Sequence, residues 1–308
     1  FYRTSRWEER GYNVDFADII IEDLGTQLLV NPVFDYHNFS GTAGFHYEIN
    51  NKDHLRFNYA YSQRAPNPSE LFSDGLHHSA ARIELGDLRI KSETSSKLSA
   101  SLERNTNTWG YTLSPFLNSI KDFILVEPTG VEFTIRGAFP VWSYRQTDAV
   151  LLGVDASLYN NWSSKIRTDH KFAWVRGTDT ETDTPLINIP AANFTNSITY
   201  TNPKWNNFLV SLESQYVFEQ TRFPDNIEVF SPEQQENVIL DINTPPDAYH
   251  LLSLNTEASF TLKNKNDLTV GLSASNLLNT NYRDYLNRQR YFVDDIGRNI
   301  SLRLIFNY

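Results

Sequence analysis

The chain has 308 residues, no cysteine, no methionine and a formal net charge of -10. Zero cysteine excludes a disulfide framework, a thiolate metal site and a cysteine nucleophile, and the acidic balance speaks against nucleic acid, which needs clustered Lys and Arg. A mean hydropathy of -0.45 without a long apolar run excludes a transmembrane helix, but not a membrane β-barrel, whose strands alternate lipid-facing and lumen-facing residues.

Residues 1–36 contain Glu8-Glu9-Arg10-Gly11 and Asn31-Pro32 and alternate poorly. They read as an extracellular loop, with or without the remnant of a preceding strand. From Phe39 onward period-two alternation dominates and helical spacing is rare. Leu55, Phe57, Tyr59 and Tyr61 alternate with Arg56, Asn58, Ala60 and Ser62. Leu98, Ala100 and Leu102 oppose Ser99, Ser101 and Glu103, and Leu152, Val154, Ala156 and Leu158 oppose Gly153, Asp155 and Ser157. The same pattern runs through Phe208, Val210, Leu212 and Tyr216 against Ser211, Glu213 and Gln215, and through Leu268, Val270, Leu272 and Ala274. It ends on Leu302, Leu304, Phe306 and Tyr308. His170 breaks it, sharing a face with Ile166 and Phe172.

The connections carry the sharper signal. Short polar turns stand at residues 50–53, 104–108, 160–164, 202–206 and 263–266, and long segments at about 63–91, 127–140, 177–190, 218–247 and 280–296. Strict alternation of short and long connections is what a membrane barrel shows, with short periplasmic turns and long extracellular loops. Counting from Phe39 gives eleven strands, the last ending at the C-terminus. Bacterial single-chain barrels have even strand numbers, and an open edge would leave backbone groups unsatisfied in lipid. The fold class is therefore an all-β transmembrane antiparallel barrel of which this chain is one part. The missing Met at position 1 fits a chain that begins inside a longer protein.

Several segments resemble TonB-dependent outer-membrane receptors. Ser62-Gln63-Arg64-Ala65-Pro66, Glu70-Leu71-Phe72 and Gly75 are similar to that family's "FRAP…EL…G" segment, and Glu84-Leu85-Gly86-Asp87-Leu88 with Glu93 to its "E-x-G-[DN]-x-x-L-x-x-E" signature, with Ile90 where Leu is usual. Asn118-Ser119-Ile120-Lys121-Asp122-Phe123-Ile124, Gly153-Val154-Asp155 and Ile189-Pro190 follow in the family's order. Ala274-Ser275-Asn276-Leu277-Leu278-Asn279 with Tyr282, and Gly297-Arg298-Asn299 before the last strand, complete the series. The resemblance covers about residues 39–308 and implies a C-terminal half, residues 37–308, of a barrel of about 22 strands around a plugged lumen. It also implies a Gram-negative outer-membrane location and no enzymatic activity. The partners implied are membrane lipid, a small-molecule metal chelate such as a ferric siderophore, and a TonB complex reached through a plug domain outside this chain. No cofactor is expected. A glycan-importing branch of the family and a soluble β-rich carbohydrate-binding module are the alternatives.

Candidate ligand contacts lie in the long segments. His77 and His78 offer imidazoles, the commonest metal ligands, although neighbouring residues point apart and no third ligand stands at metal spacing. Arg64 and Arg82 suit an anionic chelate, and the competing reading is ion pairing with Glu70 or Glu84. Trp142 and Tyr144 suit stacking on a ligand, and the competing reading is an aromatic girdle at the membrane interface. Asp179, Glu181 and Asp183 lack the Gly turn and distal Glu of a calcium loop and read as a solvated acidic loop. No catalytic constellation is visible.

Overall fold

The computed structural model describes residues 2–3, 27–28, 34–231, 234–262 and 267–307. The expected loop or strand remnant at 1–36 lies outside the described residues except for positions 2–3, 27–28 and 34–36.

Eleven strands run in series through one antiparallel sheet. They are β1 (Ser40–Glu48), β2 (Asp53–Arg64), β3 (Glu93–Asn105), β4 (Trp109–Thr134), β5 (Gly137–Asn161) and β6 (Ile166–Asp179), then β7 (Asn193–Asn202), β8 (Phe208–Val217), β9 (Tyr249–Thr261), β10 (Asp267–Ser275) and β11 (Asn299–Asn307). Each is hydrogen-bonded to the strand before and the strand after it, the meander expected from the alternating connections. β1 and β11 form the two edges and are exposed along their whole length. The sheet is open within the described residues.

Register carries two chemically distinct faces across the whole wall. On one, Phe57 lies opposite Phe45, Leu98 opposite Leu117, Leu117 opposite Leu152 and Phe172 opposite Phe194. Leu212 sits between Ile198 and Leu254, and Leu272 faces Leu302. These residues are exposed: Leu117 at 43%, Ile198 at 49% and Leu302 at 65%. Water penalises such a continuous apolar belt, and a bilayer solvates it. The other face is polar and self-satisfied. Ser101 meets Ser114 at 3.1 Å, Thr199 meets Ser211 at 2.9 Å, Ser259 meets Thr269 at 2.8 Å and Ser273 meets Ser301 at 2.6 Å. Arg56 pairs with Glu103 on the same side. This is the face that lines a lumen.

The anomaly at His170 has a local answer. Its Nδ1 lies 2.6 Å from Asn196 Oδ1 on the apolar face, and His250 Nε2 lies 2.8 Å from Ser214 Oγ. Paired polar groups cost far less in an apolar medium than lone ones.

β4 and β5 are 26 and 25 residues long, more than twice the roughly 9–11 that cross a membrane. They rise beyond the wall as a hairpin arm, to whose base Arg82–Leu85 adds a short parallel strand along β5. Here the structure differs from the sequence reading: residues 127–140 are not an irregular connection but the tip of this hairpin, turning at Ile135 and Arg136. Pro128 and Gly130 hid it, because they interrupt alternation and shift the register there. A first shift falls between Ile120 and Phe123, with Asp122 at φ 55°. The other long segments also carry local structure. Residues 63–91 contain α1 (Pro68–Phe72) and the short strands Asp74–His77 and Arg82–Leu85, and 218–247 contains a hairpin of Ile227–Ser231 with Glu236–Leu240.

Candidate functional site

All the long connections leave the same end of the sheet, and there they pack on one another. A buried cluster joins Leu125, Trp142 and Ala149 to Leu186 and Ile187 of the segment after β6 and Ile242 of the segment before β9, with Tyr291 against it. Gln289 Nε2 donates to the Ser79 carbonyl, tying the last long connection to the first.

The first connection is anchored by an ion-paired node. Asn67 caps α1 by accepting from the Glu70 amide at 3.0 Å, while Glu70 Oε2 accepts from the Asn67 amide at 2.8 Å, a reciprocal capping box. Arg64 Nη1 donates to both Glu70 oxygens and its Nη2 donates to Glu93. Glu93 also accepts from the Ile124 amide, just past the first bulge of β4. Gly86 passes so close to α1 that a Cβ there would lie 2.5 Å from the Leu71 carbonyl. Nearby, the Asp122 amide donates to Asp148 Oδ1, and Gln146 bridges Lys91 and the Asp122 carbonyl. One scaffold thus gathers Arg64, Glu70, Gly86, Glu93 and Asp122.

Above the node, Arg82 and Glu84 form a buried pair at 2.6 Å, both less than a tenth exposed. The Arg82 guanidinium lies over the Trp142 ring at 4.3 Å, and Trp142 is 2% exposed. Tyr144 is half-buried against Leu71, Leu88, Ile90 and Ile124. Arg64 takes the ion pair with Glu70, and Arg82 the one with Glu84. Trp142 lies in the interior and not at the lipid face. His77 and His78 are exposed, His77 with Ser79 Oγ 3.2 Å from its Nδ1. The structure therefore brings Arg82 and Trp142 together and leaves the two histidines on the rim.

A second buried arginine, Arg290, was not singled out by its sequence setting. Its Nη1 and Nη2 donate to the carbonyls of Tyr285 and Ile242, and Tyr285 and Tyr291 flank its guanidinium at 4.6 and 4.4 Å. Burial is the main reason the Tyr291 hydroxyl is pushed up to about 12, with Arg290 acting the other way. A cleft of about 110 Å³ opens beside this hub, lined among others by Asn193, Gln215, Tyr249, Arg283 and Asp284. The Tyr249 hydroxyl donates to Asp284 at 2.9 Å. Asn193, Gln215 and Tyr249 belong to the polar face, so the cleft looks into the lumen. Only the alternation of β7, β8 and β9 hinted at them in the sequence.

The acidic loop needs correction at one position. Asp179 is 1% exposed, so it is not solvated. It accepts from Thr147 Oγ1 at 2.7 Å, from Arg145 at 3.0 Å and from the amides of Glu181 and Thr182. Arg145 also pairs with Glu127 on the β4–β5 arm. Burial alone would raise the Asp179 carboxyl, but these donors outweigh it and hold it below the ordinary value. A carboxyl depressed in the folded state stabilises above its unfolded value of about 4 and loses that contribution as pH falls through the folded one. Loop 180–190 is thus expected to stay protease-resistant at neutral pH and to become cleavable in strong acid. Asp179→Ala should bring that cleavage to neutral pH, at a cost of about 3 kcal/mol, near the lower end for a broken buried pair because Arg145 is partly exposed. Limited proteolysis across pH measures both effects.

Among the described residues no group of three or more His, Asp and Glu is arranged to hold a metal ion, and no helix is long and apolar enough to cross a membrane. A wall with one lipid-solvated face, one polar face, short turns at one end and packed loops at the other is the wall of a transmembrane β-barrel. A family model described as "TonB dependent receptor-like, beta-barrel" matches residues 6–277, and the chain belongs to that family of Gram-negative outer-membrane receptors, which are transporters and not enzymes. No curated protein matches by sequence. Among solved structures, the chain is similar to the copper transporter OprC at 17% identity and TM-score 0.69, covering 87% of this chain and 40% of that one. It is similar to the siderophore receptor PirA from Acinetobacter baumannii at 16% identity and TM-score 0.59, covering 87% and 41%. A ferric enterobactin receptor (PfeA) mutant from Pseudomonas aeruginosa matches at 14% and TM-score 0.60, covering 87% and 40%. At these identities the likeness establishes the fold, and the chain spans about two fifths of the length of each of these solved chains. Outer-membrane membership replaces the soluble sugar-binding reading.

Proposed function

We propose that this chain supplies the C-terminal part of the barrel wall and several extracellular loops of a receptor that imports a metal chelate, with a ferric siderophore as the leading substrate. In this reading residues 37–308 form strands 12 to 22, residues 1–36 lead into them from outside, and TonB drives import through a plug. The observation that carries the reading is the cluster of long connections over a cleft that opens on the lumen-facing side. The names of the three solved relatives, a copper transporter, a siderophore receptor and a ferric enterobactin receptor, point to metal or metal-chelate cargo. Of the candidate residues, His77 and His78 would meet the chelate at the rim. Arg64, Arg82, Trp142 and Tyr144 would present that rim by holding the loop, Arg82 and Trp142 reaching a ligand only if the packed loops open.

The experiment is uptake of radiolabelled ferric chelates by iron-starved cells carrying the full-length receptor. Accumulation should require the receptor and should stop when the proton-motive force is collapsed. His77→Ala with His78→Ala should weaken binding about tenfold, on the scale of one or two lost polar contacts. Uptake of an oligosaccharide in place of any chelate would overturn the substrate assignment.

A further inference from the structure

The outward face of the wall carries a pair of arginines that the proposed transport does not use. Alternation along β6 puts Arg176 on the same face as Ile166, Phe172 and Trp174, on the outer side of the barrel. Counting from the short turn before Ile166, about ten residues cross the apolar layer. Trp174 therefore lies at its outer boundary and Arg176 just beyond it. Arg222, from the connection after β8, reaches the same face: its Nη2 donates to Thr178 Oγ1 at 3.1 Å. Between the two arginines lies a cavity of about 210 Å³, lined also by Trp174, Ile189, Gln220 and Thr221.

The cations there are not neutralised. Arg176 has no ion pair or hydrogen bond among the described residues, and Arg222 Nη1 is buried without a partner. Burial and then the neighbouring Arg176 charge pull the Arg222 guanidinium below its ordinary value, with Asp183 acting the other way. Two like charges beside one cavity repel unless an anion sits between them, and a planar guanidinium fork matches phosphate oxygens. What lies opposite this height of an outer-membrane wall is the head-group layer of the outer leaflet.

We infer that Arg176 and Arg222 clamp the phosphate of an outer-leaflet glycolipid head group against the barrel, with Trp174 packing on the lipid below it. The site depends on the barrel reading but not on what the receptor imports.

The test uses the full-length receptor purified in mild detergent, with native mass spectrometry as readout. The probes are bis-phosphorylated lipid A, dephosphorylated lipid A and inorganic phosphate. The expected result is retention of one phosphorylated lipid on the unaltered receptor, at least about tenfold weaker retention in Arg176→Ala/Arg222→Ala, and no retention of the dephosphorylated lipid. Equal retention by the double variant, or of dephosphorylated lipid, would overturn the clamp. Saturation by inorganic phosphate with no preference for lipid would overturn the lipid assignment. Heat-modifiable electrophoretic mobility is read on the same samples. A receptor that never forms a barrel contradicts the barrel reading and the clamp together, whereas a formed barrel with indifferent lipid binding contradicts the clamp alone.

Discussion

Leu212→Arg in the full-length receptor is expected to cut sharply the amount assembled in the outer membrane, whereas Ser211→Arg is expected to leave it nearly unchanged. The two positions are adjacent in β8 and differ only in the face they occupy. Leu212 sits mid-strand between Ile198 and Leu254 on the apolar belt. An Arg at the bilayer midplane on the lipid face of a barrel costs about 2–4 kcal/mol. Ser211 hydrogen-bonds Thr199 on the polar face, where a long cationic side chain extends into water and finds Glu213 two residues on. A surface change of that kind ordinarily falls within about 0.5 kcal/mol. Heat-modifiable mobility in isolated outer membranes, with immunoblotting for the assembled form, reads the difference. In a water-soluble sheet the ranking would vanish or reverse.

The second large effect falls in the loops. Gly86→Ala places a methyl 2.5 Å from the Leu71 carbonyl carbon and oxygen and 2.8 Å from the Phe72 amide nitrogen. Those are backbone atoms, so no rotamer change relieves the overlap and α1 must move. Moving α1 breaks the Asp87 amide's hydrogen bond to the Glu70 carbonyl and the Arg64 pairing with Glu70. An overpacked site of this kind costs about 3 kcal/mol, which corresponds to roughly a hundredfold rise in the population of the opened loop. Trypsin added to whole cells should then cut at Arg82, which the packed loop buries, while the barrel keeps its heat-modifiable mobility. An unchanged cleavage pattern would show that the loop tolerates displacement and that the node is not its anchor.

The wall was legible in the sequence because a half-solvated strand writes its environment in period two. The eleven-strand count and the alternation of turn lengths came from that signal, and the observed register repeats it strand by strand. The β4–β5 arm was hidden where Pro128 and Gly130 shift the register. Above the membrane the base of the hairpin packs against other loops on the inside while its tip, residues 133–138, is exposed on both faces, so alternation no longer separates lipid from lumen. The family motifs were readable as motifs, and their chemistry only as far as the ion pairs of Arg64 with Glu70 and Arg82 with Glu84. Glu93 and the bulge at Asp122 lie about 30 and 60 residues beyond Arg64 and Glu70, and join them only when the segment carrying α1 folds back between β2 and β3. Arg290 gave no warning, because burial at the meeting of separate loops leaves no local pattern. Asp179 shows the same limit: an acidic run looks solvated until Arg145 and Thr147 arrive from another strand.

The central claim is that each strand shows one face to lipid and the other to the lumen. Site-directed spin labelling of the full-length receptor in bilayers, one label at a time from Leu209 to Tyr216, tests it most directly. Labels at 210, 212, 214 and 216 should be relaxed by membrane-soluble oxygen, and those at 209, 211, 213 and 215 by a water-soluble nickel chelate. Oxygen and nickel accessibility without a period of two along β8 would contradict the barrel reading outright.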